Sequence, residues 1–146
     1  MADLVGARNR IDTIAHTWSV QHHGVVATYP APPDSYKRLR TPSVVIANVG
    51  LPSAQFFGGH IEATYSFSVD WLFGSHEASA FESALQALPL MIEDLSTDLA
   101  LTTICTGALT VVGGDPAVGL FEFDGKQFFA ARVVVNCGFV DVATVS

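Results

Sequence analysis

Residues 60–73, HIEATYSFSVDWLF, alternate between apolar and polar side chains. Ile61, Ala63, Tyr65, Phe67, Val69, Trp71 and Phe73 fall on one side of an extended backbone, with Glu62, Thr64, Ser66, Ser68 and Asp70 on the other. Period two is the strand period, so this stretch predicts a long β-strand with one buried and one wetted face. Such a strand needs hydrogen-bonded neighbours at its edges and a second layer over its apolar face.

The neighbours are legible on both sides. Ser43–Val49 (SVVIANV) predicts a short buried strand, followed by a loop over residues 48–59 that ends in Gly58-Gly59. Thr106–Val112 predicts a strand, Gly113-Gly114-Asp115-Pro116 a turn, and Val118–Phe123 another strand. Asp124-Gly125 is a two-residue hairpin signal, because both positions tolerate the positive φ of a type I′ turn. The chain then returns over Gln127–Phe139, with Phe129, Ala131, Val133, Val135, Cys137 and Phe139 on one face.

Two segments carry the helical period instead. Leu4, Ala7, Ile11, Ile14 and Trp18 recur every three or four residues and predict a helix from about Asp3 to His16. Phe81, Leu85, Leu88, Ile92, Leu95 and Leu99 form a second stripe, with Ser75 as its N-cap and Glu77 suited to its positive end. Pro89 falls inside that stripe, where its ring clashes with the carbonyl of Leu85; two helical pieces in phase, or one kinked helix, are expected. The predicted order is α-β-β-α-β-β-β. This is an α+β fold: an antiparallel sheet of about four to five strands flanked by two helices. One domain over residues 1–146 is expected, with an N-terminal helix (1–20), a Pro-rich contact loop (28–42), strands (43–73), a helix (75–98) and C-terminal strands (106–142).

Composition adds a tension. Of 146 residues, 49% are apolar and only 14% charged, and mean hydropathy is +0.38. That composition excludes disorder. No run is long enough to span a membrane as a helix, and the opening MADLVGARNRID carries charges where a secretory signal needs its apolar core. So small a domain cannot bury all of this apolar surface by itself, which points to burial against other chains.

Charge is also segregated. Residues 1–42 hold five basic and three acidic residues, whereas from Thr41 to Gly125 there is no Lys or Arg at all. A net charge of −7 argues against a basic nucleic-acid-binding domain. A cation-free acidic surface would instead repel phosphates and let a duplex slide past it.

No catalytic constellation emerges. His60 and Glu62 match half of a zinc deaminase signature, but the P-C-x-x-C half is missing. His22-His23, before Gly24, has no carboxylate or thiol at ligand spacing and reads as a solvated turn. There is no G-x-S-x-G elbow, and Gly113-Gly114-Asp115 lacks the lysine and serine of a phosphate loop. Glu93-Asp94 are adjacent on a helix and point to different faces, as on a solvated surface. Cys105 and Cys137 sit in apolar contexts without a CxxC and read as reduced core residues. Neither an enzyme nor a cofactor is expected.

Taken in order, these features resemble the tail terminator (tail completion) proteins of long-tailed bacteriophages. The resemblance runs over about residues 4–142: the N-terminal helix, Tyr29-Pro30 and Pro32-Pro33, the strand TPSVVIANVG, a Gly-Gly loop into the long alternating strand, a helix, DLAL with Gly107, and the hairpin LFEFDGKQFFAARVVV. The chain departs from the family pattern at Pro89 and at Thr102-Thr103, which replace the usual glycines. The resemblance implies a structural virion protein at the head–tail junction, made in the host cytoplasm. Copies would form a hexameric ring that caps the tail tube, ends its polymerisation, offers a docking face to head-completion or connector proteins, and leaves a channel for genomic DNA. Another neck or tail-ring protein (head completion or tube subunit) is one alternative. A small homo-oligomeric α+β protein binding an apolar ligand between Trp18, Trp71 and the sheet is another.

Two contact sets follow from the residues. Tyr36, Lys37, Arg38 and Arg40 form a basic arm expected to reach the acidic helix of the next subunit at Glu82, Glu93 or Asp94. Phe56-Phe57, adjacent aromatics in a Gly-flanked loop, are expected to anchor the tube protein or the connector.

Overall fold

In the computed structural model the elements are α1 (Leu4–His23), β1 (Ala27–Tyr29), β2 (Ser43–Phe57), β3 (His60–Phe73), α2 (Ala78–Thr97), α3 (Leu99–Ile104), β4 (Leu109–Phe123) and β5 (Lys126–Val142). The structure describes residues 3–23, 27–29, 40–41, 43–57, 60–74, 78–123 and 125–142. The alternating run is β3, the middle strand of a five-stranded sheet ordered β1-β2-β3-β5-β4. All pairings are antiparallel except that of β1, which runs parallel to β2. The expected α+β class therefore stands, with both long helices packed into one core against one face of the sheet. The order is α-β-β-β-α-α-β-β and not the predicted α-β-β-α-β-β-β, because Ala27–Tyr29, at the start of the expected Pro-rich loop, pairs with β2 and the segment after Asp98 is a separate short helix.

That core is built from the two periods read in the sequence. From the sheet come Val44, Ile46, Phe67, Val69, Trp71, Phe73, Val133 and Val135. Ala7, Ile11 and Ala15 of α1 and Met91 and Leu95 of α2 meet them, all fully buried. Burying Trp71, Phe67 and Phe73 contributes about 2–3 kcal/mol each by area.

Several boundaries differ from expectation, each for a local reason. Residues 48–57 belong to β2 and form no loop. The register slips by one residue between Asn48 and Gly50 and again between Gly50 and Ser53, so bulges absorb Pro52, which has no N–H to donate. Gly113-Gly114-Asp115-Pro116 makes no chain reversal. The pairing jumps from Gly113↔Val133 to Val118↔Ala131, so the two expected strands are one strand, β4, carrying an irregularity. The Asp124-Gly125 turn is where it was expected, with Phe123 paired to Lys126 and Gly125 at φ 76. α1 continues to His23, so His22-His23 lie in helix and not in a turn. Pro89 stays inside a single α2; it is exposed, so water can satisfy the carbonyl it deprives of a donor.

The second face of β3 is not the wetted one expected. Ser68 and Asp70 are 1% and 5% exposed, whereas Ile61, expected inside, is 42% exposed. A cross-strand row explains the burial. Tyr29, Val45, Asp70 and Arg132 are consecutive partners across β1, β2, β3 and β5. Asp70 accepts from Arg132 Nε at 2.7 Å and from Nη2 at 3.0 Å, and the guanidinium lies 5.0 Å over the Phe121 ring. Beside this pair, Val45, Leu72, Phe128 and Ala130 form a second small core, with Tyr29, Phe121 and Phe123 packed on it. Further along the same face, Ser66 Oγ donates to its cross-strand partner Asn136 Oδ1.

Burial pushes the Asp70 carboxyl above its ordinary value, outweighing the downward pull of the Arg132 hydrogen bonds and charge. A buried ion pair of this kind contributes little net stability beyond an apolar pair of the same volume. Removing one partner strands a charge. Arg132→Met alone is expected to cost about 3 kcal/mol, whereas the double variant Asp70→Leu/Arg132→Met should return to within about 1 kcal/mol of the parent in urea unfolding.

Candidate functional site

α2 displays two faces of different chemistry. Phe81, Leu88, Met91, Ile92 and Leu95 turn toward the sheet. Glu82, Gln86, Leu90 and Glu93 recur at helical spacing on the outside, all exposed, with Leu90 at 55%. Glu82 and Glu93 are three turns apart on this stripe, about 16 Å along the axis. Asp94 is also exposed, but one residue round the helix from Glu93.

That rotation brings Asp94 into a cleft between α1 and the α2–α3 junction. The cleft encloses about 450 Å³ and is lined by Arg10, Thr13, Ile14, Thr17, Asp94, Thr97, Asp98 and Leu99. Asp98 ties its floor together. It accepts from Arg10 Nε at 2.9 Å and Nη2 at 2.7 Å, and from the Leu101 backbone N–H at 2.8 Å as the N-cap of α3. One carboxylate therefore caps a helix and joins α1 to α3. Leu99, next to it, is 79% exposed and gives the cleft an apolar lip. A second, smaller cleft of about 310 Å³ is lined by Gln55, Glu62, Thr64, Gly107, Gly138 and Val140 among others.

The expected contact residues are distributed as follows. Glu82 and Glu93 share the outer stripe of α2, and Asp94 faces the cleft. Arg40 is exposed, while Tyr36, Lys37 and Arg38 lie outside the described residues. Phe56 and Phe57 end β2, paired with Ile61 and His60, in strand and not in the expected loop; their side chains lie outside the described residues. Trp71 is buried in the main core and lines neither cleft, and the Trp18 side chain lies outside the described residues. Among the described residues no group of three or more His, Cys, Asp or Glu could hold a metal ion, and no helix is long and apolar enough to cross a membrane.

Sequence reasoning did not foresee Arg10 and Asp98. A cue existed for Asp98 alone, an N-cap residue type directly before an apolar run, and it was masked by the end of the preceding stripe. The Arg10 hydrogen bonds hold the Asp98 carboxyl below its ordinary value. A lowered carboxyl contributes stability that is present above its unfolded value of 3.8 and lost as pH falls through the folded one. Asp98→Ala should therefore cost about 1 kcal/mol of capping near neutrality. Urea unfolding at pH about 6 and about 3 should show a smaller acid-induced loss in the variant than in the parent.

No protein-family model matches this chain, and no curated protein matches it.

Proposed function

We propose that the protein is a ring-forming structural subunit of a phage tail, the terminator that caps the tail tube and receives the head-completion or connector proteins. The observation that carries this reading is the outer stripe of α2. Glu82, Gln86, Leu90 and Glu93 form an exposed anionic strip with an apolar centre, within a stretch of chain that has no Lys or Arg from Thr41 to Gly125. The cations at Lys37, Arg38 and Arg40 are its complement on the same chain. A patch and its complement on one molecule make a head-to-tail contact, and such contacts close into rings when the rotation permits. Opposite charge at the rim directs the pairing, while apolar groups such as Leu90 supply contact area.

The same reading accounts for the unburied hydrophobicity. Val5, Leu90 and Leu99 on the helices and Ile61, Val112, Leu120 and Val140 on the sheet are exposed in the single chain. Neighbouring copies, the tube protein and the connector would cover them. The end of the β2–β3 hairpin suits the tube or connector contact, because exposed Ile61 is the register partner of Phe56. Acidic residues without interspersed cations suit a passage through which DNA slides without binding.

The triple variant Lys37→Ser/Arg38→Ser/Arg40→Ser tests the arm. Native mass spectrometry and electron microscopy of capped tails should show at least a tenfold loss of closed rings, relieved in part by high salt, which screens the repulsion between the remaining acidic faces. Normal rings and normal infectivity would remove the arm from the interface. Single-copy attachment in the mature particle would overturn the ring itself.

A further inference from the structure

The two carboxylates of the cleft between α1 and the α2–α3 junction are in different situations. Asp98 is satisfied: its oxygens accept from Arg10 at 2.7 and 2.9 Å and from the Leu101 N–H at 2.8 Å. Asp94 is exposed and makes no hydrogen bond or ion pair among the described residues. The charges of Arg10 and Asp98 cancel, so the charge left in the cleft is that of Asp94. Two threonines sharpen the chemistry. Thr13 Oγ1 donates to the Asn9 carbonyl at 3.0 Å, and Thr97 Oγ1 to the Glu93 carbonyl at 2.8 Å. Each hydroxyl spends its only proton on its own helix and offers lone pairs to whatever enters. The cleft thus presents three acceptors, Asp94, Thr13 and Thr97, beside apolar Ile14 and the Leu99 lip. That set suits an ammonium on an alkyl stem, a compact head with three N–H donors and methylenes that pack on apolar surface.

We infer that this cleft is the seat for Lys37 of a neighbouring copy, with the ammonium on Asp94 and the stem along Ile14 and Leu99. The inference rests on the ring reading and adds which carboxylate receives which cation. Charge complementarity selects the occupant. The chain has two lysines, Lys37 and Lys126. Lys126 is half-buried beside the β4–β5 turn, its Nζ 5.1 Å from the centre of the Phe128 ring, so its own hairpin engages it. Lys37 lies within Tyr36-Lys37-Arg38-Leu39-Arg40, where Tyr36 and Leu39 bring apolar area to cover Leu99, 79% exposed. Glu93, one residue round the helix from Asp94, is then within the reach of Arg38, which joins the cleft to the outer stripe of α2. A volume of about 450 Å³ admits one long side chain with part of a neighbouring residue. Pro30, Pro32, Pro33 and Pro42 flank the segment and reduce the entropy lost when it is fixed.

The test exchanges the charges across the contact and counts closed rings of the full chain by native mass spectrometry and electron microscopy of capped tubes. Lys37→Glu alone and Asp94→Lys alone should each give about tenfold fewer rings than the parent. An equal mixture of the two should recover rings to within about threefold of the parent, with the variants alternating, because every junction then pairs unlike charges. The double variant in one chain should recover as well. If Asp94→Lys fails to fold by circular dichroism, Asp94→Asn replaces it, and adding it to Lys37→Glu should cause no further loss. Parental ring yield from either charge-reversed variant, or a mixture no better than its components, would overturn the seat while the parent's own rings uphold the ring reading. Recovery by the double variant but not by the mixture would put the contact within one chain and overturn it too. A parent that forms no ring on the tube would remove both.

Discussion

Everything in this fold hangs on the hydrogen-bonded ladder along β3. Every residue from His60 to Phe73 has a partner in β5, and β2 follows the other edge for nearly the same length. A strand held on both edges cannot slip by one position without exchanging its faces, so its apolar side fixes where both helices must lie. The helices then have little freedom. α1 and α2 bury alanine, isoleucine, methionine and leucine against the same sheet face, and the Arg10–Asp98 hydrogen bonds join α1 to the start of α3.

The legible and illegible parts of the chain divide along physical lines. The central strand, both long helices and the final hairpin turn were legible, because a repeated period or a glycine at positive φ has few structural solutions. Residues 48–57 and 113–116 are not legible locally, because Gly and Pro mark bulges as well as turns and only pairing with a neighbouring strand distinguishes them. Ser68 and Asp70 carry the polar pattern of a wetted face, but polarity does not fix exposure. The partner that satisfies buried Asp70 is Arg132, sixty-two residues further on, which no local pattern can announce. At the candidate site, the acidic face of α2 was legible from its helical period, but the cleft beside it was not. Its walls come from separate helices that meet only in the folded chain.

Functionally, the molecule divides its labour between its two layers. The sheet holds the buried ion pair and the larger aromatic clusters, so its chemistry is mostly internal. The helical layer turns outward: glutamates around Leu90, and a cleft with an apolar lip at Leu99. Its charged groups are few, so each one has a large influence on which surfaces come together.

The irregularity in β4 has a consequence for growth. β4 is an outer strand of the sheet, and outer strands invite self-templated extension into fibrils. Between Gly113 and Val118 its pairing is interrupted, and Pro116 there offers no amide hydrogen. A second molecule cannot zip along such a margin without meeting a misfit halfway. Open-ended stacking through the backbone of β4 is thereby disfavoured.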